Sequence, residues 1–268
     1  MSPPTSTVLL LLLICCACTL TAAESGDDQR DTRRASRDSD DVLQRFVDEL
    51  MSITPGRNKF PRSMTGSSGA LRPPPEFRIA RYETTQELYQ LVAGTNPSRW
   101  KGPRNSAESM SRQDADRFCI ELTRLLQKKR LIDSTDVVRL PTNVEWEYCC
   151  RAGSSKPFCF GSLTDSPELL DKYAWHTGNA AGNDPAVGVL LPNEYGLFDL
   201  HGYLWEYVDI ENEGDNAQQP TGWAMGGSWR DPAVLLASDS RISVPRYAVS
   251  DAIGFRCVVS SASSQAQN

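Results

Sequence analysis

The chain has 268 residues, 40% of them hydrophobic, enough to bury one sizeable core and leave a tail. Its formal charge of −6 comes without a dominant run of Lys or Arg, so nucleic acid is not an expected partner. Only two histidines occur, His176 and His201, which excludes a site built on three imidazoles.

In chain order, Val8 to Leu20 form an apolar run too short to span a bilayer comfortably. Thr21-Ala22-Ala23 follow as a small-residue cleavage point, so residues 1–23 read as a secretory signal peptide. The expectation is export, to a secreted or periplasmic location. Cys15, Cys16 and Cys18 keep a lipid-anchored alternative open, the one route by which a membrane would enter. Residues 24–45 are charged, poor in large apolar groups, and predict a disordered linker.

Val42, Phe46, Val47 and Leu50 recur at helical spacing. Ile53 to Gly69 reads as irregular, and Pro73 to Pro75 lead into a strand over Phe77–Tyr82. Thr84 with Glu87 has capping-box spacing, which starts a helix with Leu88, Leu91 and Val92 inward. Ser111 with Asp114 starts another, whose apolar stripe is Ala115, Phe118, Cys119, Leu122, Leu125 and Leu126. Thr142 with Glu145 predicts a third, short helix over Val144–Arg151, leaving Glu147 for a buried ion pair. From Gly153 onward, frequent turn residues predict short strands and long loops, and residues 261–268 a disordered tail.

Four motifs punctuate the second half: RLPTNVEWEYCCRAG from Arg139, GLFDLHGYLWEYV from Gly196, GGSW from Gly226 and GFRC from Gly254. Upstream stand FRIARYETTQELYQLV from Phe77, NPSRWKGP from Asn96 and DADRFC ending at Cys119. In this order, residues 46–260 resemble the formylglycine-generating enzyme family, the sulfatase-modifying factor domain. The resemblance implies an irregular α+β fold related to C-type lectin modules, with little regular secondary structure. Trp146, Trp175, Trp205, Trp223 and Trp229 then read mainly as core anchors.

The resemblance also implies ligands. Family members bind calcium through a segment that corresponds here to Asp199, the carbonyls of Gly202 and Leu204, and Glu206. Oxygen donors of this kind suit a hard cation that takes six to eight of them. The competing reading has Asp199 and Glu206 capping turns or pairing with arginines. A second family site would begin at Asn179 and the carbonyl of Ala180.

Family enzymes oxidise a cysteine of a sulfatase polypeptide to formylglycine, using O₂ and Cu(I) held by two thiolates, which suit that soft ion. The first thiolate position is Asp231 in this chain, the second falls among Val234 to Ala237, and no cysteine occurs between Phe160 and Arg256. Copper and its oxidase chemistry are therefore not expected. Ser228 is retained, but with no identified base it reads as a turn residue.

By the same resemblance, Cys150 and Cys257 should form a disulfide. Cys119 reads as a buried thiol, and the state of Cys149 and Cys159 stays open. The leading expectation is a binding or scaffold module that holds a polypeptide, sulfatase-like or other, or a glycan. Its surface would be Trp229, Arg230, Asp231, Arg241 and Arg246. Two rival readings remain: a sulfatase-modifying oxidoreductase with a non-standard site, and a lipid-tethered component of an envelope complex.

Overall fold

The computed structural model describes residues 34, 37–66, 69–74, 76–180, 184–210 and 221–261. The expected signal peptide, the start of the linker and residues 262–268 of the expected tail lie outside the described residues. The chain divides into two units, Met1–Asp41 and Val42–Asn268. In the first, residues 34 and 37–41 are helical; in the second, helix α1 covers residues 42–48. Residues 37–45 thus depart from the expected disordered linker. Leu43 and Phe46 are buried in the larger hydrophobic cluster, and that burial stabilises a helix too short to stand alone.

The elements that follow are β1 (Leu50–Ile53), β2 (Met64–Gly66), β3 (Gly69–Leu71) and β4 (Phe77–Ala80), then α2 (Gln86–Ala93) and α3 (Arg112–Lys129). Next come β5 (Asp136–Arg139), α4 (Asn143–Arg151), α5 (Leu170–Tyr173) and β6 (Ala174–Trp175). The last are β7 (His201–Gly202), β8 (Trp205–Val208), β9 (Thr221–Met225), β10 (Arg241–Pro245), β11 (Ile253–Gly254) and β12 (Val258–Ser261).

Two four-stranded sheets organise the domain. The first has the order β1-β4-β12-β5 and is antiparallel throughout. Strand alternation sends Cys257 and Val259 into one hydrophobic cluster and Val258 into the other, so this sheet is covered on both faces. The second has the order β10-β9-β8-β11, with β11 parallel to β8. Here Trp205 and Tyr207 enter the first cluster, while Val208 enters the second.

Helix starts follow local chemistry where the capping side chain is free to act. Ser111 and Asp114 form a reciprocal capping box on α3, and Thr142 and Glu145 form another on α4. Arg139 also grips Glu145 with two bonds of 2.6 and 2.7 Å, fixing the angle at which β5 passes into α4. Glu147 and Arg151 form the expected buried ion pair.

The box expected at Thr84 is absent, because α2 begins one residue later, with Thr85 at its N-cap and no side-chain bond there. The backbone of Thr84 is instead tied on both sides, donating to Phe255 O at 2.8 Å and accepting from Ala107 N at 2.7 Å. Among the described residues, no helix is long and apolar enough to cross a membrane.

Candidate functional site

The turn between β7 and β8 and the GFRC segment build a buried charged centre. Glu206 is fully buried and accepts from Arg256 through Nε and Nη2, at 2.7 Å each, and from Trp146 Nε1 at 2.8 Å. The register explains the meeting: Gly254 pairs with Glu206 across β8 and β11, and Arg256 follows two residues later on the same face. Arg256 also donates to the carbonyls of Ala80, Arg81 and Phe198, so its guanidinium stitches three segments together.

Two further carboxyls face this centre. Asp199, with φ 58° and little exposure, accepts from Gly188 N at 2.7 Å through Oδ2. Its Oδ1 is buried without a partner, as is Oε1 of Glu83. Burial pushes Asp199 up to about 6, with Glu206 adding to the rise and the Gly188 amide and Arg256 opposing it. Burial also raises Glu83 well above the usual carboxylate range, reinforced by Asp199 and Glu206. Three buried carboxyls thus surround one guanidinium.

For the expected calcium ligands, the donor chemistry fits in part. Asp199 offers an oxygen with no partner among the described residues, whereas both oxygens of Glu206 are already engaged by Arg256. Gly202 holds the turn between β7 and β8 in a left-handed conformation at φ 91°, and a Cβ there would lie 2.2 Å from Trp175 O. No group of three or more His, Cys, Asp or Glu side chains placed for one metal ion occurs among the described residues. At the weaker expected site, the side-chain oxygen of Asn179 accepts from His176 N at 2.8 Å, and Ala180 N bonds back to His176 O at 2.9 Å. Those two residues close their own loop.

At the GGSW segment, Asp231 Oδ2 accepts from Ser228 N, Ser228 Oγ and Trp205 Nε1, at 2.9, 2.5 and 2.8 Å. Ser228 is therefore a turn residue whose hydroxyl is held by the Asp231 carboxylate three positions on, an arrangement that closes the turn. The first thiolate position thus carries a hard carboxylate, a donor that suits Cu(I) poorly, and its Oδ2 already accepts three protein donors.

The surface expected to bind a ligand divides. Trp229 is half-buried beneath Arg230, whose guanidinium lies 4.5 Å from the ring centroid. Arg241 stacks on Trp223 of β9, and Arg246 pairs with Asp116 on α3. What gathers around Trp229 is a cavity of about 120 Å³, lined by Trp100, Glu108, Asp184, Tyr203, Leu204 and Asp251 among others. Besides Trp229, sequence reasoning marked two residues of this lining, Leu204 and Ala180, each for its carbonyl. The one clue to the others was the tryptophan in NPSRWKGP, a motif residue to which the sequence assigned no role.

The expected Cys150–Cys257 disulfide is not formed; all five described cysteines are free thiols. Cys257 belongs to the cluster opposite the one holding Cys150, because residues 257 and 258 point to opposite faces. The Cys257 thiol faces Thr84 Oγ1 at 3.8 Å and hydrogen-bonds with Cys119, the leading cause that raises the Cys119 thiol. Cys150 Sγ lies 3.7 Å from both ring nitrogens of His201.

Comparison with known proteins agrees with this architecture. Chaperone protein LppX of Paenibacillus barcinonensis is 27% identical over 218 residues, 63% of this chain and 74% of that protein. The formylglycine-generating enzyme of Mycobacterium tuberculosis (strain ATCC 25618 / H37Rv) is 27% identical over 150 residues, 45% of this chain and 50% of that one. Inactive C-alpha-formylglycine-generating enzyme 2 of Bos taurus is 30% identical over 131 residues, 44% and 43% of the two chains. The alignments thus span about half or less of those two enzymes' length. Among solved structures, Treponema denticola variable protein 1 superposes with a TM-score of 0.62 at 22% identity, over 78% of this chain and 94% of that one. The α+β fold is the irregular, C-type-lectin-like arrangement of formylglycine-generating enzymes. Residues 44–261 match the sulfatase-modifying factor enzyme 1-like domain, and the chain belongs to that family.

Proposed function

We propose that this chain is an exported family member that binds a polypeptide or glycan and does not oxidise it. The observation that carries this reading is Asp231, whose carboxylate stands at the first copper-ligand position and is consumed by Ser228 and Trp205. A soft ion gains little from such an oxygen, and no cysteine between Phe160 and Arg256 could replace it. Support also comes from the bovine relative, which is itself named inactive. Incubation with a CxPxR-containing peptide, Cu(I) and O₂ is expected to leave the peptide cysteine unchanged by mass spectrometry. Formylglycine in that peptide would overturn the reading.

A calcium ion at Asp199 is the second element of the proposal, supported by the unpartnered oxygen there. Asp199 and the carbonyls of Gly202 and Leu204 would hold it, with Glu206 shared with Arg256. Bound charge of the opposite sign would offset the excess of buried carboxylate. EDTA is expected to lower the melting temperature and added Ca²⁺ to restore it, while Asp199→Asn should respond to neither. A wild-type melting curve indifferent to both additions would remove calcium.

A further inference from the structure

The cavity beside Trp229 has a composition that selects for charge. Three aromatic residues, Trp100, Tyr203 and Trp229, and three acids, Glu108, Asp184 and Asp251, line it, with no basic residue in the lining among the described residues. Two arginines at the rim report what these groups attract. Arg99 lies 4.8 Å over the ring of Trp100, Arg230 lies 4.5 Å over Trp229, and both pair with Asp251.

Asp251 is thereby neutralised. Glu108 and Asp184 have no cationic partner among the described residues. Glu108 is only 4% exposed; its carboxyl accepts from Arg99 N and is also favoured by hydrogen bonds from Ser109 and Trp100 N, all neutral donors. Its Oε2 is buried with no close partner among the described residues. Asp184 accepts only neutral donors, Tyr203 Oη at 3.1 Å and Asn105 Nδ2 at 2.5 Å. Burial raises both groups above the ordinary carboxylate range, opposed only by neutral hydrogen-bond donors, so neither carboxyl has a charge to offset its own. A cation between aromatic faces and such carboxyls gains from both.

Size narrows the class. An apolar cavity of about 150 Å³ admits a benzene ring, so a cavity of about 120 Å³ suits a chain of roughly five heavy atoms. We propose that this cavity binds a primary ammonium group on a short alkyl chain, as in a lysine side chain or a free alkylamine. The inference rests on the binding reading above and names the chemistry of what is held.

Calorimetric titration of the full chain with n-butylammonium, with N-acetyl-lysine methylamide and with neutral n-butanol tests it. Both ammonium compounds should bind, and n-butanol at least about tenfold more weakly, which is the weight of one charged contact. Glu108→Gln should weaken ammonium binding at least about tenfold. Trp100→Ala, at a position 51% exposed and therefore safe for folding, should weaken it severalfold. Tighter binding of the lysine derivative points to a polypeptide source, and tighter binding of butylammonium to a free amine; either supports the proposal. Equal binding of n-butanol, an unaffected Glu108→Gln, or no ammonium binding overturns it. If ammonium binding fails while a neutral peptide or a glycan binds at Trp229, the cation proposal falls and the binding reading stands. Formylglycine formation would remove the latter and leave the former.

Discussion

Replacing Arg256 with methionine is expected to destabilise the protein by about 3–5 kcal/mol, the usual cost of stranding a buried charge. The wild-type guanidinium is fully buried and makes two bonds to Glu206. Its removal leaves Glu206 opposite Asp199 and Glu83, two carboxyls whose proton affinity burial already raises, with Glu206 adding to the rise. Three backbone carbonyls, of Ala80, Arg81 and Phe198, lose a donor as well. Urea unfolding at neutral pH measures the effect. The double variant Arg256→Met with Glu206→Leu should recover part of the loss, since a buried pair replaced by apolar groups strands no charge. A single variant that loses less than about 1 kcal/mol, the scale of an exposed pair, would show that this centre does not hold the fold together.

The second large effect is pH-dependent and belongs to His201. Its Nδ1–H donates to Leu236 O at 2.8 Å, and Nε2 accepts from Cys159 N at 3.1 Å, so the surroundings specify the neutral ring with the proton on Nδ1. Burial lowers its pKa to about 4 from an ordinary 6.5. Between these values the unfolded chain binds the proton and the native ring does not, so stability is full above pH 6.5 and falls as the solution is acidified toward 4. The loss from pH 7.5 to 4.5 should be about 2–3 kcal/mol. Asp199 acts with the opposite sign, since its raised pKa makes the native state gain stability as pH falls from about 6 toward 3.8. The experiment therefore compares wild type with His201→Gln, which keeps a donor and an acceptor but cannot titrate. The stability difference between the two proteins should narrow on acidification by that amount. A difference constant across the range would mean His201 is not held neutral.

Local features of this fold were legible in the sequence, and features that depend on distant partners were not. The capping boxes at Ser111 and Thr142 lie within four residues and formed as expected, and the motif order from Phe77 to Cys257 identified the family. Strands β1 and β5 escaped notice because each is four residues long and is defined by pairing with β4 or β12 far along the chain. Glu206 was read first as a calcium ligand and second as an arginine partner. The structure gives it an arginine fifty positions away, delivered by a parallel strand pairing that no local pattern encodes. The same limit applies to the cysteines, where the face each side chain takes decides what it can touch. Trp229 was marked, yet the carboxyls around it come from separate loops, and only folding sets Glu108 beside Asp184.

The position of β12 has a consequence for how the chain is made. This strand lies inside its sheet, between β4 and β5, and is drawn from residues 258–261. During synthesis β4 and β5 emerge first and must wait, their facing edges open to pairing with other chains. Nascent molecules are thus exposed to misassembly until residues 258–261 have emerged, and truncations before Val258 should accumulate as aggregates and not as shortened native domains.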